Sequence, residues 1–178
     1  MLCLTSFAGS DSTASTMQSF SHHVLRDQRI YRKLQAELDE ATASGALSEM
    51  PQWSEVQNLP YFQACLKEAM RVRPAVGLNI TRFVPEQGVE IEGVKLPGGT
   101  RVAVNAWVLH RDRGVFGQDA DVYRPERWIE GDAKAMERCM FQVGWRCVAE
   151  AVDEPANTAD SSAAAAICAL ERTWRCWR

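Results

Sequence analysis

The chain has 178 residues, of which 46% are hydrophobic and 24% charged, a length and composition that allow one domain with a real hydrophobic core. The formal net charge of −3 combines 20 basic with 23 acidic residues, which is too small and too mixed to indicate binding to nucleic acid or an anionic membrane. No apolar run reaches membrane-spanning length, and the first ten residues lack the basic and apolar regions of a signal peptide. We therefore expect a soluble intracellular chain without a transmembrane segment.

The first segment, LTSFAGSDSTASTMQSF at 4–20, is rich in Ser and Thr. Hydroxyl side chains compete for backbone hydrogen bonds, so local propensity favours a loop here. From about Asp27 the pattern changes and predicts a one-sided helix that ends near Gly45, with Lys33 and Glu37 four residues apart. Its apolar positions are Ile30, Leu34, Leu38 and Ala41.

The stretch at 58–74, NLPYFQACLKEAMRVRP, predicts a buried amphipathic helix. Asn58 is placed to cap its start and Pro60 suits its first turn. Pro74 disfavours helical backbone at the residue before it and so predicts the end of the helix. The apolar stripe consists of Phe62, Cys65, Leu66, Ala69 and Met70.

Glu68 and Arg71 are three residues apart on this predicted helix, so their side chains can meet. An exposed pair of this kind stabilises a helix by only about 0.2–0.5 kcal/mol. The pair alone favours that interpretation, whereas the sequence that follows favours a buried role.

After the central helix, short β-like runs alternate with turn residues: NITRFV, GVEIEGVKL and PGGTRVAVNAWV. They predict a small antiparallel sheet with turns at Gly93 and at 97–99. Residues 109–131 predict an irregular loop whose aromatic side chains pack down, and a short helix is predicted at 133–140. The aromatic residues of the loop are Phe116, Tyr123 and Trp128.

Four stretches in this order carry a resemblance to a known family: AGSDST at 8–13, the Glu68–Arg71 pair, the strand with Arg82, and PERW at 125–128. Together they resemble the C-terminal part of a cytochrome P-450, a heme-thiolate monooxygenase, over residues 7–144. Within that family, the amino-acid sequence resembles the fungal pisatin-demethylase-like group most. The resemblance implies a mainly α fold with a small antiparallel β-sheet, a partial cytochrome P-450 fold from the end of the long central helix to the loop before the heme cysteine. It implies a domain at 1–144.

The resemblance also implies roles for single residues. Glu68 and Arg71 match the family's Glu-x-x-Arg, and Arg127 matches the arginine that completes its three-residue ion network. A buried carboxylate shared by two guanidinium groups holds the fold and does no chemistry. Arg82 matches the position that pairs with a heme propionate, beside the alternative that an exposed strand arginine is only solvated.

Residues 8–13 resemble the family's oxygen-activation sequence on its central helix, where an acid and a hydroxyl relay protons to bound dioxygen. Ser12 occupies the usual threonine position and keeps the hydroxyl. Asp11 and Ser12 are therefore the implied catalytic residues, with Thr13 as a neighbouring substitute. The same resemblance implies a structural role for His110 and no axial-ligand role for His22 or His23. Without the resemblance, a Ser/Thr-rich terminus predicts a disordered tail.

A heme thiolate needs a cysteine in a shaped loop, which the family writes as Phe-x-x-Gly-x-Arg-x-Cys-x-Gly. None of the six cysteines has Cys-x-x-Cys or zinc-finger spacing. If the chain is aligned on Phe141, Gly144 fits, but the cysteine position holds Val148 and the final glycine is Glu150. Cys147 misses by one position and is a metal-ligand candidate through proximity alone.

A second alignment runs through MFQ at 140–142, so that Val143 replaces the phenylalanine, Gly144 fits and everything from Trp145 onward is unrelated. We prefer it. Residues 145–178, Ala- and Ser-rich in the middle, then form an unrelated tail that is disordered or irregular. A break in the reading frame or a splice boundary near Gly144 would explain the change, and in-frame translation of the genomic DNA would test it. The alternative for the tail is an interfacial or partner helix with an apolar stripe of Ile167, Leu170, Trp174 and Trp177.

Two functions follow. The resemblance implies a heme-dependent monooxygenase that oxidises a small lipophilic substrate with dioxygen in fungal secondary or xenobiotic metabolism, takes electrons from a reductase, and is anchored at the endoplasmic reticulum by an N-terminal segment that this chain does not include. The alternative is a non-catalytic truncated fragment that cannot ligate heme because the cysteine loop is lost.

Overall fold

The structure is a computed structural model that describes residues 2–91 and 93–141. The predictions for Cys147, for the boundary at 144 and for the tail at 145–178 lie outside the described residues. The described residues divide into two compact units: residues 2–75 together with 121–134 form the first, and residues 76–91, 93–120 and 135–141 form the second. Each unit is described by itself.

The predicted fold class is confirmed, because the described residues are mainly helical with small antiparallel sheets. The helices are α1 (Leu2–Arg26), α2 (Gln28–Ala43), α3 (Trp53–Val56), α4 (Pro60–Val72), α5 (Ala106–Leu109), α6 (Arg113–Phe116), α7 (Arg127–Glu130) and α8 (Ala133–Arg138). The strands are β1 (Asn79–Phe83), β2 (Val89–Ile91), β3 (Val94–Leu96) and β4 (Arg101–Asn105).

The loop that local propensity favours at 4–20 is wrong, because α1 runs through it without interruption. Tertiary contacts with α4 explain the difference. The buried hydroxyl of Ser19 donates to the carbonyl of Ala69 at 3.0 Å, and the Phe20 and Phe62 rings lie 5.6 Å apart. Packing of this kind outweighs a weak unfavourable propensity.

Helix α2 confirms the prediction of a one-sided helix. The Asp27 carboxylate accepts hydrogen bonds from the backbone N–H of Arg29 and of Ile30, and so caps its start. After the helix, Gly45 adopts a φ of 75°, a conformation that glycine adopts without steric cost. The buried hydrophobic cluster of the first unit joins α1, α2 and α4 through Val24, Ile30, Leu34, Tyr61 and Cys65.

The predicted cap of α4 is wrong. Leu59 occupies the cap position and makes no side-chain cap, while the Asn58 amide donates to the carbonyl of Ser54 at 2.9 Å. Pro60 is in the first turn and the helix ends before Pro74, both as predicted.

A carboxylate from α2 takes over the capping of α4. Glu37 accepts hydrogen bonds from the backbone N–H of Tyr61 at 2.7 Å and of Phe62 at 2.8 Å. Its negative charge also suits the positive end of the helix dipole. The buried face of α4 is broader than the apolar stripe predicts, and it includes charged residues: Tyr61, Ala64, Cys65, Glu68, Ala69 and Arg71.

The second unit contains two antiparallel ladders. Strand β1 pairs with β4, with Asn79 opposite Asn105 and Phe83 opposite Arg101. Strands β2 and β3 form a hairpin in which Gly93 has a φ of 79°. The buried hydrophobic cluster of this unit is formed by Ile91, Val104 and Leu109.

The stretch at 109–131 contains the one-turn helices α6 and α7 within otherwise irregular backbone. Phe116 and Trp128 are buried, as expected for aromatic residues that pack down. The Tyr123 hydroxyl donates to the carbonyl of Cys65 at 2.8 Å, so the part of this stretch at 121–131 is attached to α4 within the first unit.

Candidate functional site: a buried carboxylate on α4

Helix α4 carries a fully buried carboxylate, Glu68, whose side chain is 0% exposed. Arg71, one helical turn later and equally buried, donates from Nη2 to Glu68 Oε1 at 2.8 Å and from Nε to Glu68 Oε2 at 2.9 Å. The spacing of three residues on a helix places the two side chains side by side. The pair is therefore bidentate, the strongest form of an arginine–carboxylate contact.

Helix α7 brings a second guanidinium group to the same carboxylate. Arg127, at 2% exposure, donates from Nε to Glu68 Oε1 at 3.0 Å. Arg71 and Arg127 also donate through Nη2 to the carbonyl of Val122, at 3.1 Å and 3.0 Å. The structure thus brings together all three residues that the family resemblance grouped.

Two further donors reach Glu68 that sequence reasoning missed. The Trp128 indole donates from Nε1 to Glu68 Oε2 at 2.9 Å, and the backbone N–H of Arg124 donates to Oε1 at 2.9 Å. A signal for the first was available, because an indole only donates and a buried one needs an acceptor. No sequence pattern points to a backbone N–H.

The cluster is saturated and closed to solvent. Five hydrogen bonds converge on the two oxygens of Glu68, about as many as a carboxylate with four lone-pair sites accepts. The lone pairs of this carboxylate are therefore taken up by donors from the protein itself. Its chemistry is that of an internal ion network between α4, α7 and the chain before α7.

The three consecutive residues implied in proton transfer lie in α1. Asp11 and Thr13 are exposed and Ser12 is half-buried. Ser12 Oγ donates to the carbonyl of Gly9 across 3.4 Å, and the Ser12 carbonyl accepts from Thr16 Oγ1 at 3.1 Å. Because adjacent residues of a helix point in different directions, Asp11, Ser12 and Thr13 do not share one face.

Arg82 lies in β1, in the second unit, with an exposed side chain. Its Nη1 donates to the carbonyl of the preceding residue, Thr81, at 2.9 Å. This contact is local to the strand.

The described histidines and the buried Cys65 do not resemble heme ligands. His110 is fully buried, and its Nε2 accepts from the backbone N–H of Phe141 at 2.8 Å, so that nitrogen is engaged. His23 stacks on the ring of Tyr123 with centroids 4.4 Å apart, and burial, with neighbouring His22, lowers the pKa of His23. Burial raises the pKa of Cys65 to about 12 and keeps it a neutral thiol, whereas a metal ligand is a thiolate.

Within residues 2–91 and 93–141, no group of three or more His, Cys, Asp or Glu side chains is placed to hold a metal ion. Among the helices of the described residues, none is both long and apolar enough to cross a bilayer.

Comparison with known proteins agrees with the fold. The sequence profile described as Cytochrome P450 matches residues 2–142. Cytochrome P450 monooxygenase cicH of Emericella nidulans is 49% identical over 128 residues, which are 72% of this chain and 26% of that protein. A pisatin demethylase of Fusarium vanettenii is 40% identical over 125 residues, which are 70% of this chain and 24% of that protein.

A solved structure of a zebra fish cytochrome P450 with progesterone superposes with a TM-score of 0.60 at 31% identity, covering 70% of this chain and 28% of that one. The fold and the sequence define a piece of a heme-enzyme fold. The chain belongs to the cytochrome P450 family. It spans about a quarter of the length of the curated relatives it matches.

Proposed function

We propose that the chain represents part of a heme-dependent monooxygenase that oxidises a small lipophilic substrate with dioxygen, in fungal secondary or xenobiotic metabolism, with a reductase as electron donor. The observation that carries this proposal is the match to fungal cytochrome P450 monooxygenases over most of the chain. One relative is named a pisatin demethylase, which supports oxidation of a small organic molecule. The endoplasmic reticulum is the location we would expect for such an enzyme.

In this proposal the cluster of Glu68, Arg71 and Arg127 is a structural ion network. Burial, saturation of the carboxylate and contact with two helices support that role. The network holds α4 to α7 and contributes to catalysis only by keeping the scaffold in shape.

Heme, when bound in this family, supplies the activation of dioxygen. Asp11 and Ser12 are our candidates for proton carriers on α1, at the carboxylate and at Oγ, and Thr13 offers a second hydroxyl one residue away. The exposure of Asp11 is compatible with proton exchange with water. Arg82 is our candidate for a heme propionate, because its exposed guanidinium retains donors beyond the one that contacts Thr81.

A second candidate function is that of a non-catalytic relative. The cysteine and histidine residues that could ligate heme iron favour it for this polypeptide. The cysteine position of the family loop holds Val148 in one alignment and is lost in the other. Of the described candidates, Cys65 is a buried neutral thiol and the Nε2 atom of His110 already accepts a hydrogen bond. We therefore expect that this chain alone does not ligate heme through a thiolate.

The two candidates separate in one experiment. The full chain is expressed with hemin and reduced under carbon monoxide, and the difference spectrum is recorded for the parent, for Cys147→Ala and for Cys176→Ala as a matched loss of another thiol. We expect no band typical of a thiolate-ligated heme in any of them. A band that survives in Cys176→Ala and disappears in Cys147→Ala would establish the catalytic candidate and overturn the non-catalytic one.

A further inference from the structure

A second carboxylate cluster lies directly beside the first in sequence. Glu126, the residue before Arg127, is 8% exposed, and its Oε1 accepts from Lys33 Nζ at 2.8 Å, from Arg29 Nη1 and from the Tyr61 hydroxyl at 3.1 Å. Arg29 and Lys33 are one turn apart on α2, and Tyr61 is in the first turn of α4. This cluster joins three elements of the first unit.

The donors that meet at Glu126 are not random surface partners. Lys33 Nζ also lies 5.8 Å from the centroid of the Tyr61 ring. The lysine therefore contacts both Glu126, which accepts from the Tyr61 hydroxyl, and the Tyr61 ring itself. The Glu126 carboxylate is almost enclosed, and its second oxygen, Oε2, is buried and has no hydrogen-bond partner among residues 2–91 and 93–141. A buried carboxylate of this kind is costly unless its charge is balanced. The two basic side chains of α2 provide that balance.

Glu126 and Arg127 are consecutive, yet they contact positions on α4 that are seven residues apart. Glu126 contacts Tyr61, while Arg127 contacts Glu68. Seven residues are close to two helical turns, so Tyr61 and Glu68 lie on the same side of α4. The start of α7 is therefore fixed at two points along one face of α4, and α2 supplies the charges for one of them.

We propose that Glu126 is a positioning residue, which links α2 to the start of α7 and thereby places Arg127 on Glu68. The inference concerns the ion network and holds whether or not the chain binds heme. It assigns to Arg29 and Lys33 a role in the order of the Glu68 cluster, although neither touches Glu68 in any contact described above. Loss of the Glu126 charge should therefore weaken contacts at Glu68.

The first test compares the urea midpoint of the full chain with that of Glu126→Gln between pH 2 and pH 7. Burial by itself would raise the pKa of Glu126, but hydrogen bonds from Lys33 and Arg29 outweigh it and lower the pKa to about 2. A carboxyl with a lowered folded pKa contributes stability above its ordinary pKa and loses it as the pH falls through the folded value. We expect a lower midpoint for Glu126→Gln at pH 7, and a difference that shrinks from about pH 5 towards pH 2.

Other charged or titratable groups around Glu126 are constant between the two proteins. They are Arg29, Lys33 and Glu37 from α2, and Tyr61 and Cys65 from α4. Glu40→Gln, an exposed carboxylate on α2, is the matched control and should leave the midpoint unchanged. A difference between parent and Glu126→Gln that is zero, or equal at all pH values, would overturn the role of the charge.

The second test asks whether the two clusters are coupled, and it uses milder variants in case Glu126→Gln does not fold. Lys33→Gln removes one donor of Glu126, and Trp128→Phe removes one donor of Glu68. The urea midpoints and slopes of both single variants and the double variant give a double-mutant cycle. We expect the loss in the double variant to differ from the sum of the single losses. Additive losses would show that the clusters are independent and would overturn the proposal.

Discussion

Glu68 and Glu126 are two buried carboxylates that collect donors from separate helices, and they differ in where those donors lie. The side chains of Arg71 and Arg127 are 0% and 2% exposed, whereas those of Arg29 and Lys33 are 51% and 50% exposed. Ion pairs with exposed partners are screened by water and salt, whereas pairs that are buried on both sides are not. The comparison teaches that the same type of carboxylate–cation pair contributes differently to stability according to how far its partners are exposed to solvent.

Removal of a buried guanidinium should have the largest effect. Arg71→Ala removes two charge-assisted hydrogen bonds from Glu68. Breaking a buried ion pair in this way lowers the unfolding free energy by about 3–5 kcal/mol. Urea unfolding followed by far-UV circular dichroism measures the loss. Arg32→Ala, an exposed arginine of α2, is the control. If both variants lost the same stability, the buried network would have no special weight.

Removal of the indole donor should cause the second-largest loss of unfolding free energy. Trp128→Phe keeps most of the buried aromatic surface but leaves Glu68 Oε2 without one of its donors. Hydrogen bonds to charged groups contribute about 1.5–3 kcal/mol. The same unfolding experiment checks the value, with the more exposed Trp53→Phe as its counterpart. A loss no greater than that of Trp53→Phe would place the indole outside the network.

The capping carboxylate of α4 should rank third. Glu37→Gln removes the charge that accepts from the backbone N–H of Tyr61 and of Phe62, and loss of a helix cap costs about 0.5–2 kcal/mol. Glu40→Gln on the same helix provides the control in parallel urea titrations. A null result for Glu37→Gln would mean that a neutral amide oxygen caps α4 as well as the charged carboxylate does.

Removal of an exposed donor of Glu126 should lower the unfolding free energy least. Arg29→Gln should cost less than about 1 kcal/mol at low salt, and the cost should fall further in 1 M NaCl because exposed pairs are screened. The loss in Arg71→Ala should persist at the same salt concentration. Thermal unfolding at both ionic strengths tests the contrast, which would fail if salt reduced both losses in the same proportion.

Local patterns in the sequence predict most elements of the first unit. Helical spacing predicts α2 and α4, and proline at 60 and 74 predicts the limits of α4, because these signals act within a few residues. The propensity of the Ser/Thr-rich segment predicts a loop where α1 is formed, because propensity contains no term for the contact of Ser19 and Phe20 with α4. The Asn58 cap fails for a similar reason, since a carboxylate from α2 competes for the same N–H groups.

The candidate site divides in the same way. Glu68, Arg71 and Arg127 could be grouped only through the family resemblance, since 56 residues separate Arg71 from Arg127 and no local spacing connects them. Trp128 carries a signal in its need for an acceptor, although the sequence does not say which acceptor it meets. The donors of Glu126 carry no local signal at all, because Arg29 and Lys33 resemble any solvated face of a helix.

The sequence by itself determined the family, the helical periods of α2 and α4, and the residue types that an ion network requires, because these depend on local chemistry and on motif spacing. Only the tertiary structure decided that α1 is helical through its Ser/Thr-rich segment, that Glu37 caps a helix 24 residues away, and that the consecutive residues Glu126 and Arg127 contact two turns of α4. Burial and the convergence of donors from separate helices are properties of the folded chain. Both arise when distant segments exclude water together, and no local stretch encodes that event.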